Sequence, residues 1–292
     1  MITAEREKLI TPKFDLVFKR VYGSENDNVP MKVFIEEVLN LKPKKITILN
    51  SELIGKPYKD KKVFVDLVVE LEDNTKVVIE VNTEIDTSLQ DRNLFYMCRI
   101  MSKDLKPGQH YDEFKRHILV DLDFSGKHIK PVMNYKLYNI ETKDIFSEKL
   151  EIITVDIPYY SKKCYTNRED VSKLTKLERF FGMFDIEDRS LAFKICKGDE
   201  DMEEIYNKIN ECNLDDEIIG AYDGEWHMKE LERLGMIRAQ KEGMEKGLQK
   251  GLQKGIETRN IEIVKNMLKL NLDSKIISEV TGLSIEQINK LK

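Results

Sequence analysis

The stretch Val63-Phe64-Val65-Asp66-Leu67-Val68-Val69-Glu70-Leu71-Glu72-Asp73-Asn74-Thr75-Lys76-Val77-Val78-Ile79-Glu80-Val81-Asn82 reads as two β-strands around a polar turn. Within Val63–Val69 and Val77–Asn82, two carboxylates, Asp66 and Glu80, interrupt runs that are otherwise apolar. Positions 66 and 80 are symmetric about Asp73, so a register centred there sets them opposite each other on one face. A two-residue turn at Asp73-Asn74 would put them on opposite faces, so the pairing needs a three- or five-residue loop. Like charges side by side on an apolar sheet repel and are costly to desolvate, which points to a shared divalent cation. Oxygen ligands favour a hard ion such as Mg²⁺ or Mn²⁺. The alternative is that one of the two points outward at a sheet edge as a solvated charge.

Outward from the hairpin, helical and extended patterns alternate. Thr11 as N-cap and Pro12 at the first helical position predict a helix with Phe14, Val17, Phe18 and Val21 on one face, ended by Gly23. A second helix follows Pro30 and stops near Asn40, and Ile46–Ile54 is a further extended run. Gln90–Leu105 is helical through Leu94, Met97, Cys98 and Met101, and Pro107-Gly108 ends it. Strands are expected at His117–Phe124, Val132–Ile140 and Leu150–Ile157. The order αα-βββ-α-β makes residues 1–160 a mixed α/β core. Beyond Pro158 the strand signals fade; Asp170–Phe184, Ser190–Lys197 and Asp201–Cys212 read as helices of an extension spanning 161–224.

Residues 225–292 form a third segment, beginning with one long predicted helix. It holds the only internal repeat: Gly243, Gly247, Gly251 and Gly255 recur every four residues, followed by Met244, Leu248, Leu252 and Ile256. Four helical glycines cost on the order of 3 to 4 kcal/mol against alanine, which close packing on another helix or a bound partner must offset. A homo-oligomer through this stripe is one reading and a flexible linker the other. In the tail, Ile276, Ile277 and Val280 make a short apolar face, Thr281-Gly282-Leu283 a turn, and Ser284 with Gln287 a capping box. That arrangement is helix-turn-helix-like, but its second helix offers only Lys290 and Lys292 as cations, which favours a small helical cap or oligomer contact over a base reader.

Composition narrows the function classes. The 292 residues are 35% charged and 41% hydrophobic, with no apolar stretch long enough for a membrane span and charge at the start where a signal peptide needs an apolar run. A cytoplasmic protein without a membrane partner is expected. Four Cys and four His show no paired metal-ligand spacing, which disfavours a thiol- or imidazole-built zinc site. The net charge of −5 gives no global attraction for phosphates, so any nucleic-acid contact must be local.

Asp66 followed by Glu80-Val81-Asn82 resembles the PD-(D/E)XK nuclease superfamily, in which an Asp on one hairpin strand and Glu-x-Lys on the next bind the metal. Lys13-Phe14-Asp15-Leu16-Val17-Phe18-Lys19, Asp91-Arg92-Asn93-Leu94-Phe95-Tyr96 and Leu105-Lys106-Pro107-Gly108-Gln109-His110-Tyr111 narrow the similarity to the Rpn-type recombination-promoting nucleases and transposases. The similarity is strongest over 11–125, and the glycine tract and Thr281-Gly282-Leu283-Ser284 resemble that family's C-terminal end. It implies a restriction-endonuclease-like α/β core, with a mixed sheet flanked by helices, followed by a helical C-terminal region.

The implied activity is Mg²⁺- or Mn²⁺-dependent cleavage of DNA phosphodiesters, linked to recombination or mobile elements. Asp66, Glu80 and the Val81 carbonyl would hold the cation, and Asn82, in the usual lysine place, would orient the attacking water. An amide cannot offset developing charge as a lysine can. Arg92 and Tyr96, four apart on one helix face, are candidates for DNA contact, with a surface pairing of Arg92 to Asp91 or Glu84 as the alternative. Asp15 and Lys19 are either an ordinary helix ion pair or neighbours of the metal. The rival function is a nuclease-fold protein of weak or absent activity that binds DNA or self-assembles.

Overall fold

In the computed structural model, which describes residues 8–24, 28–49, 52–53, 63–83 and 87–291, the hairpin lies inside one six-stranded sheet. Its elements run α1 (Asp15–Tyr22), α2 (Val29–Leu39), β1 (Ile46–Leu49), β2 (Glu52–Leu53), β3 (Val63–Phe64), β4 (Leu67–Leu71), β5 (Lys76–Asn82), α3 (Leu89–Met101), β6 (His117–Asp123), β7 (Val132–Lys136) and β8 (Leu150–Asp156). The helices α4 (Ile157–Thr166), α5 (Lys176–Gly182), α6 (Arg189–Cys196), α7 (Glu200–Cys212), α8 (Asp216–Lys269), α9 (Ser274–Thr281) and α10 (Ile285–Asn289) complete the chain. Strand order is β1-β4-β5-β6-β8-β7, with β5, β6 and β8 parallel and the others antiparallel to their neighbours. The sheet is therefore mixed, and helices cover both faces.

The hairpin register is the one its symmetry requires. Leu67 pairs with Ile79 and Val69 with Val77, closed by a three-residue loop in which Asn74 takes the left-handed conformation at φ 63°. Alternation then divides the sheet. Val77, Ile79, Ile118, Val120, Leu122, Ile153 and Val155 face the larger core, shared with α1, α2 and α4–α7. Phe18, Tyr22, Phe34, Phe180, Phe181 and Phe184 form its aromatic centre, each such ring worth on the order of 2–3 kcal/mol of burial. Val78 and Leu119 face the other way, against Met97 and Ile100 of α3.

Several local expectations change: α3 ends at Met101 rather than at Pro107-Gly108, and Asp170–Phe184 is not one helix, because a 3-10 turn at Val171–Lys173 and an extended Leu174 precede α5. The run Val63–Leu71 is not one strand: β3 pairs with β2 in a separate two-stranded ribbon, and the chain bends at Val65-Asp66 before β4 joins the main sheet. Thr11 does not cap α1; its carbonyl accepts from Phe14 N–H and its hydroxyl from Lys13 N–H, so Thr11-Pro12 is a turn and Phe14 stands at the cap. The strand expected through Ile140 ends at Lys136. At Ile157 a helix begins where strand was expected, because Asp156 caps α4 by accepting from Tyr159 N–H at 3.2 Å. Part of the predicted Ile46–Ile54 strand, and Glu84, lie outside the described residues.

The chain divides into two compact units, residues 1–222 and 223–292. In the second, Val264, Ile277 and Ile288 make a small core, Gly282 at φ 70° ends α9, and the Ser284–Gln287 capping box opens α10. Among the described residues no helix is long and apolar enough to cross a membrane.

Candidate active site

The bend at Val65-Asp66 makes the site. Antiparallel pairing of β4 with β5 ends at Leu67–Ile79, so Val81 has no strand partner on that side. Its N–H instead donates to Asp66 Oδ2 at 2.7 Å, the carboxylate standing where a ladder carbonyl would have been. The Val81 carbonyl points to the same side by strand geometry. Glu80, one residue back and 6% exposed, projects from the α3 face, and its Oε1 is buried with no hydrogen-bond partner among the described residues.

Both carboxyls are raised, that of buried Glu80 partly by the charge of half-buried Asp66. Burial, then the Asp66 charge, pushes the Glu80 carboxyl up to about 9, while Arg92 and the Asp66 backbone N–H pull the other way. Burial also raises Asp66, with Asp15 adding to the effect; the Val81 N–H, Lys19 and Arg92 oppose it. Near neutral pH the pair holds a proton on Glu80 unless a cation replaces it. Among the described residues no three His, Cys, Asp or Glu side chains converge as a ready-made cage, so a cation would rest on two carboxylates and a backbone oxygen. That donor set, with the unpartnered Glu80 oxygen, suits a hard divalent ion.

The remaining sequence candidates divide. Arg92, in the first turn of α3, turns to the site: its Nη2 donates to Asn82 Oδ1. Tyr96, one turn further along, lies partly buried within electrostatic reach of Glu80. Asp15 and Lys19 make the helix ion pair at 2.8 Å, and both lie within electrostatic reach of Asp66. Asn82 is engaged at both ends, its oxygen by Arg92 and its Nδ2 by Asp121 Oδ1.

Asp121 itself was not singled out from sequence, nor were Asn93, Asp123 and His128. Glu80, Asp121 and Thr154 are register partners across β5, β6 and β8, and Asn82, Asp123 and Asp156 form the next row toward the carboxyl ends. All six are buried. Asp121 also accepts from Asn93 Nδ2 at 3.0 Å, and burial pushes its carboxyl up to about 6 against these hydrogen bonds. Beside it, Asp123 Oδ2 lies 2.6 Å from His128 Nε2. One signal was available: Asp121 interrupts the apolar run Ile118–Leu122 as Asp66 and Glu80 interrupt theirs.

A sequence model of the PD-(D/E)XK nuclease family transposases matches residues 12–231. No curated protein and no solved structure matches the chain.

Proposed function

We propose that this chain, which belongs to the PD-(D/E)XK nuclease family transposases, hydrolyses DNA phosphodiester bonds with Mg²⁺ or Mn²⁺ at Asp66 and Glu80. The observation that carries the reading is the pairing of buried Glu80 with half-buried Asp66, one Glu80 oxygen having no partner among the described residues. Asp66, Glu80 and the Val81 carbonyl would hold the ion. A divalent cation bound there lowers the pKa of a coordinated water and neutralises charge on the phosphate. Glu80 gives up its proton as the site is loaded. Asn82 Oδ1, beside its bond from Arg92, would orient the attacking water, and the Arg92 guanidinium would meet a phosphate oxygen. Tyr96 lines the same helix face, and Asp15 and Lys19 border it from α1.

Supercoiled plasmid should be nicked in Mg²⁺ and spared in EDTA. Asp66→Ala and Glu80→Ala each remove a ligand from a site with few to lose, so cleavage should fall by about 10² or more while the fold survives. Plasmid left intact by the parent in both Mg²⁺ and Mn²⁺, or cleaved equally by both variants, overturns the reading. Recombination or mobile-element work in the cytoplasm is the setting this activity fits. The glycine stripe of α8 supports self-association: Met244, Leu248, Leu252 and Ile256 are exposed beside it, and a Cβ at any of the four glycines would meet no described atom within 4 Å.

A further inference from the structure

A row of lysines on α8 has no part in the chemistry above. Lys246, Lys250 and Lys254 stand four residues apart, all exposed, and from Lys246 to Ile256 the helix carries no acidic residue. Three other cations of α8 have acidic partners about one turn away: Lys229 pairs with Glu225 at 2.6 Å, Arg233 with Glu230 at 2.7 Å and Arg259 with Glu262 at 3.3 Å. In the row itself, Lys246 lies 4.0 Å from Glu242, and among the described residues Lys250 and Lys254 form no ion pair. Like charges at i,i+4 repel and weaken a helix. This stretch bears that repulsion together with the cost of its four glycines.

Self-association does not relieve the repulsion. Leu248, Leu252 and Ile256 each follow a lysine by two positions, about 200° round the helix. Both rows drift by the same angle per repeat, so they stay on opposite sides of α8. A second copy packed on the exposed apolar side therefore leaves the lysines turned away from it. Whatever meets the lysine side must bring a row of negative charge. Four residues rise about 6 Å, so the three ammonium groups span about 12 Å, over which one strand of a duplex sets out about three to four phosphates. The glycine after each lysine adds no side chain to hold a phosphate backbone off. In a chain of net charge −5, an uncompensated local row of this kind is what a polyanion would find.

We propose that Lys246, Lys250 and Lys254 of α8 form a docking surface for the phosphate backbone of duplex DNA, one that holds DNA without reading its sequence. The choice of DNA among polyanions rests on the nuclease reading, whereas the lysine surface does not.

The test uses the full chain in EDTA, where binding is read without cleavage. Electrophoretic shifts on a duplex compare the parent with the triple variant Lys246→Gln, Lys250→Gln, Lys254→Gln. A control removes the same charge from exposed lysines elsewhere: Lys106→Gln, Lys162→Gln, Lys197→Gln. Glutamine has the helix propensity of lysine, so light scattering should give the α8 variant the parent's mass; a changed mass would put the lysines in the self-contact and overturn the proposal. The α8 variant should bind at least about 10-fold more weakly at low salt, and its slope of log affinity against log salt should fall by about 2.7, three phosphate contacts at about 0.9 each. The control should keep the parent's slope. An α8 variant with the parent's affinity and slope overturns the proposal, and so does an equal loss in the control, which would make net charge the cause. Lost binding to phosphatidylserine vesicles with DNA binding intact also overturns it, giving the surface to a membrane. A parent that binds no duplex fails the proposal outright. A parent that binds DNA and cuts nothing in Mg²⁺ or Mn²⁺ fails the nuclease reading alone, and the shifts still decide the role of the lysines.

Discussion

Replacing Glu80 by Gln should flatten a pH dependence of stability that the parent shows without divalent cations. The folded chain carries the Glu80 carboxyl from 4.5 to about 9, first through burial and second through the Asp66 charge. Between those values the unfolded chain has released a proton that the folded chain keeps. The folded state then binds more protons, and stability falls as pH rises, by up to about 1.4 kcal/mol per pH unit. From pH 4.5 to 7 this amounts to about 3 kcal/mol, a large fraction of a typical domain's stability. Glutamine keeps the shape, cannot ionise and escapes the loss. Urea unfolding followed by circular dichroism in EDTA, at intervals from pH 4.5 to 8, should show the parent losing about 3 kcal/mol relative to Glu80→Gln by pH 7. Shifts at Asp66 and Asp121 occur in both proteins and largely cancel in the difference. Parallel curves for the two proteins would refute the reasoning, since Glu80 would then ionise in the fold at no cost.

Three other outcomes follow from the same geometry. Because Glu80 must release its proton to bind a cation, calorimetric affinity for Mn²⁺ should rise with pH toward about 9, and an affinity flat from pH 6 to 8 would contradict the shift. With a net charge of −5 and only local cations such as Arg92 and Lys19 at the site, DNA binding should be sequence-tolerant and weaken steeply with salt in electrophoretic shifts. Tight, salt-insensitive binding to one short sequence would move recognition to the α9–α10 tail. Ending the chain at Arg238 removes the glycine stripe and should lower the oligomeric mass in light scattering; an unchanged mass would rule out assembly through α8.

The register of β4 with β5 was legible because it rests on parity, although the ladder ends at Leu67–Ile79 and leaves Asp66 in the bend beyond it. Residues 66 and 80 are symmetric about Asp73 whatever else the chain does, and the three-residue loop with Asn74 at φ 63° realises that symmetry. Local chemistry also announced the Ser284–Gln287 capping box, and the end of α2 at Asn40, which takes φ 52°. The break between β3 and β4 was hidden, because an apolar run does not reveal that its one carboxylate folds back onto the backbone of the next strand. Asp121 was hidden for a different reason. Its partners Asn82 and Asn93 lie 39 and 28 residues away, brought to it by the parallel placement of β6 beside β5 and the return of α3 across them. Strand order is not written in any one strand. For α4 the signal was present in Asp156 and Pro158, but the apolar run of β8 continues into Ile157 and masks the boundary.

The central claim is that Asp66 and Glu80 share a divalent cation, and anomalous diffraction from crystals grown with Mn²⁺ tests it most directly. A peak at about 2.2 Å from a carboxylate oxygen of each residue, with the Val81 carbonyl among the remaining oxygens, is the predicted result. A fully occupied Mn²⁺ elsewhere, with Asp66 and Glu80 unliganded between pH 8 and 9, would contradict it.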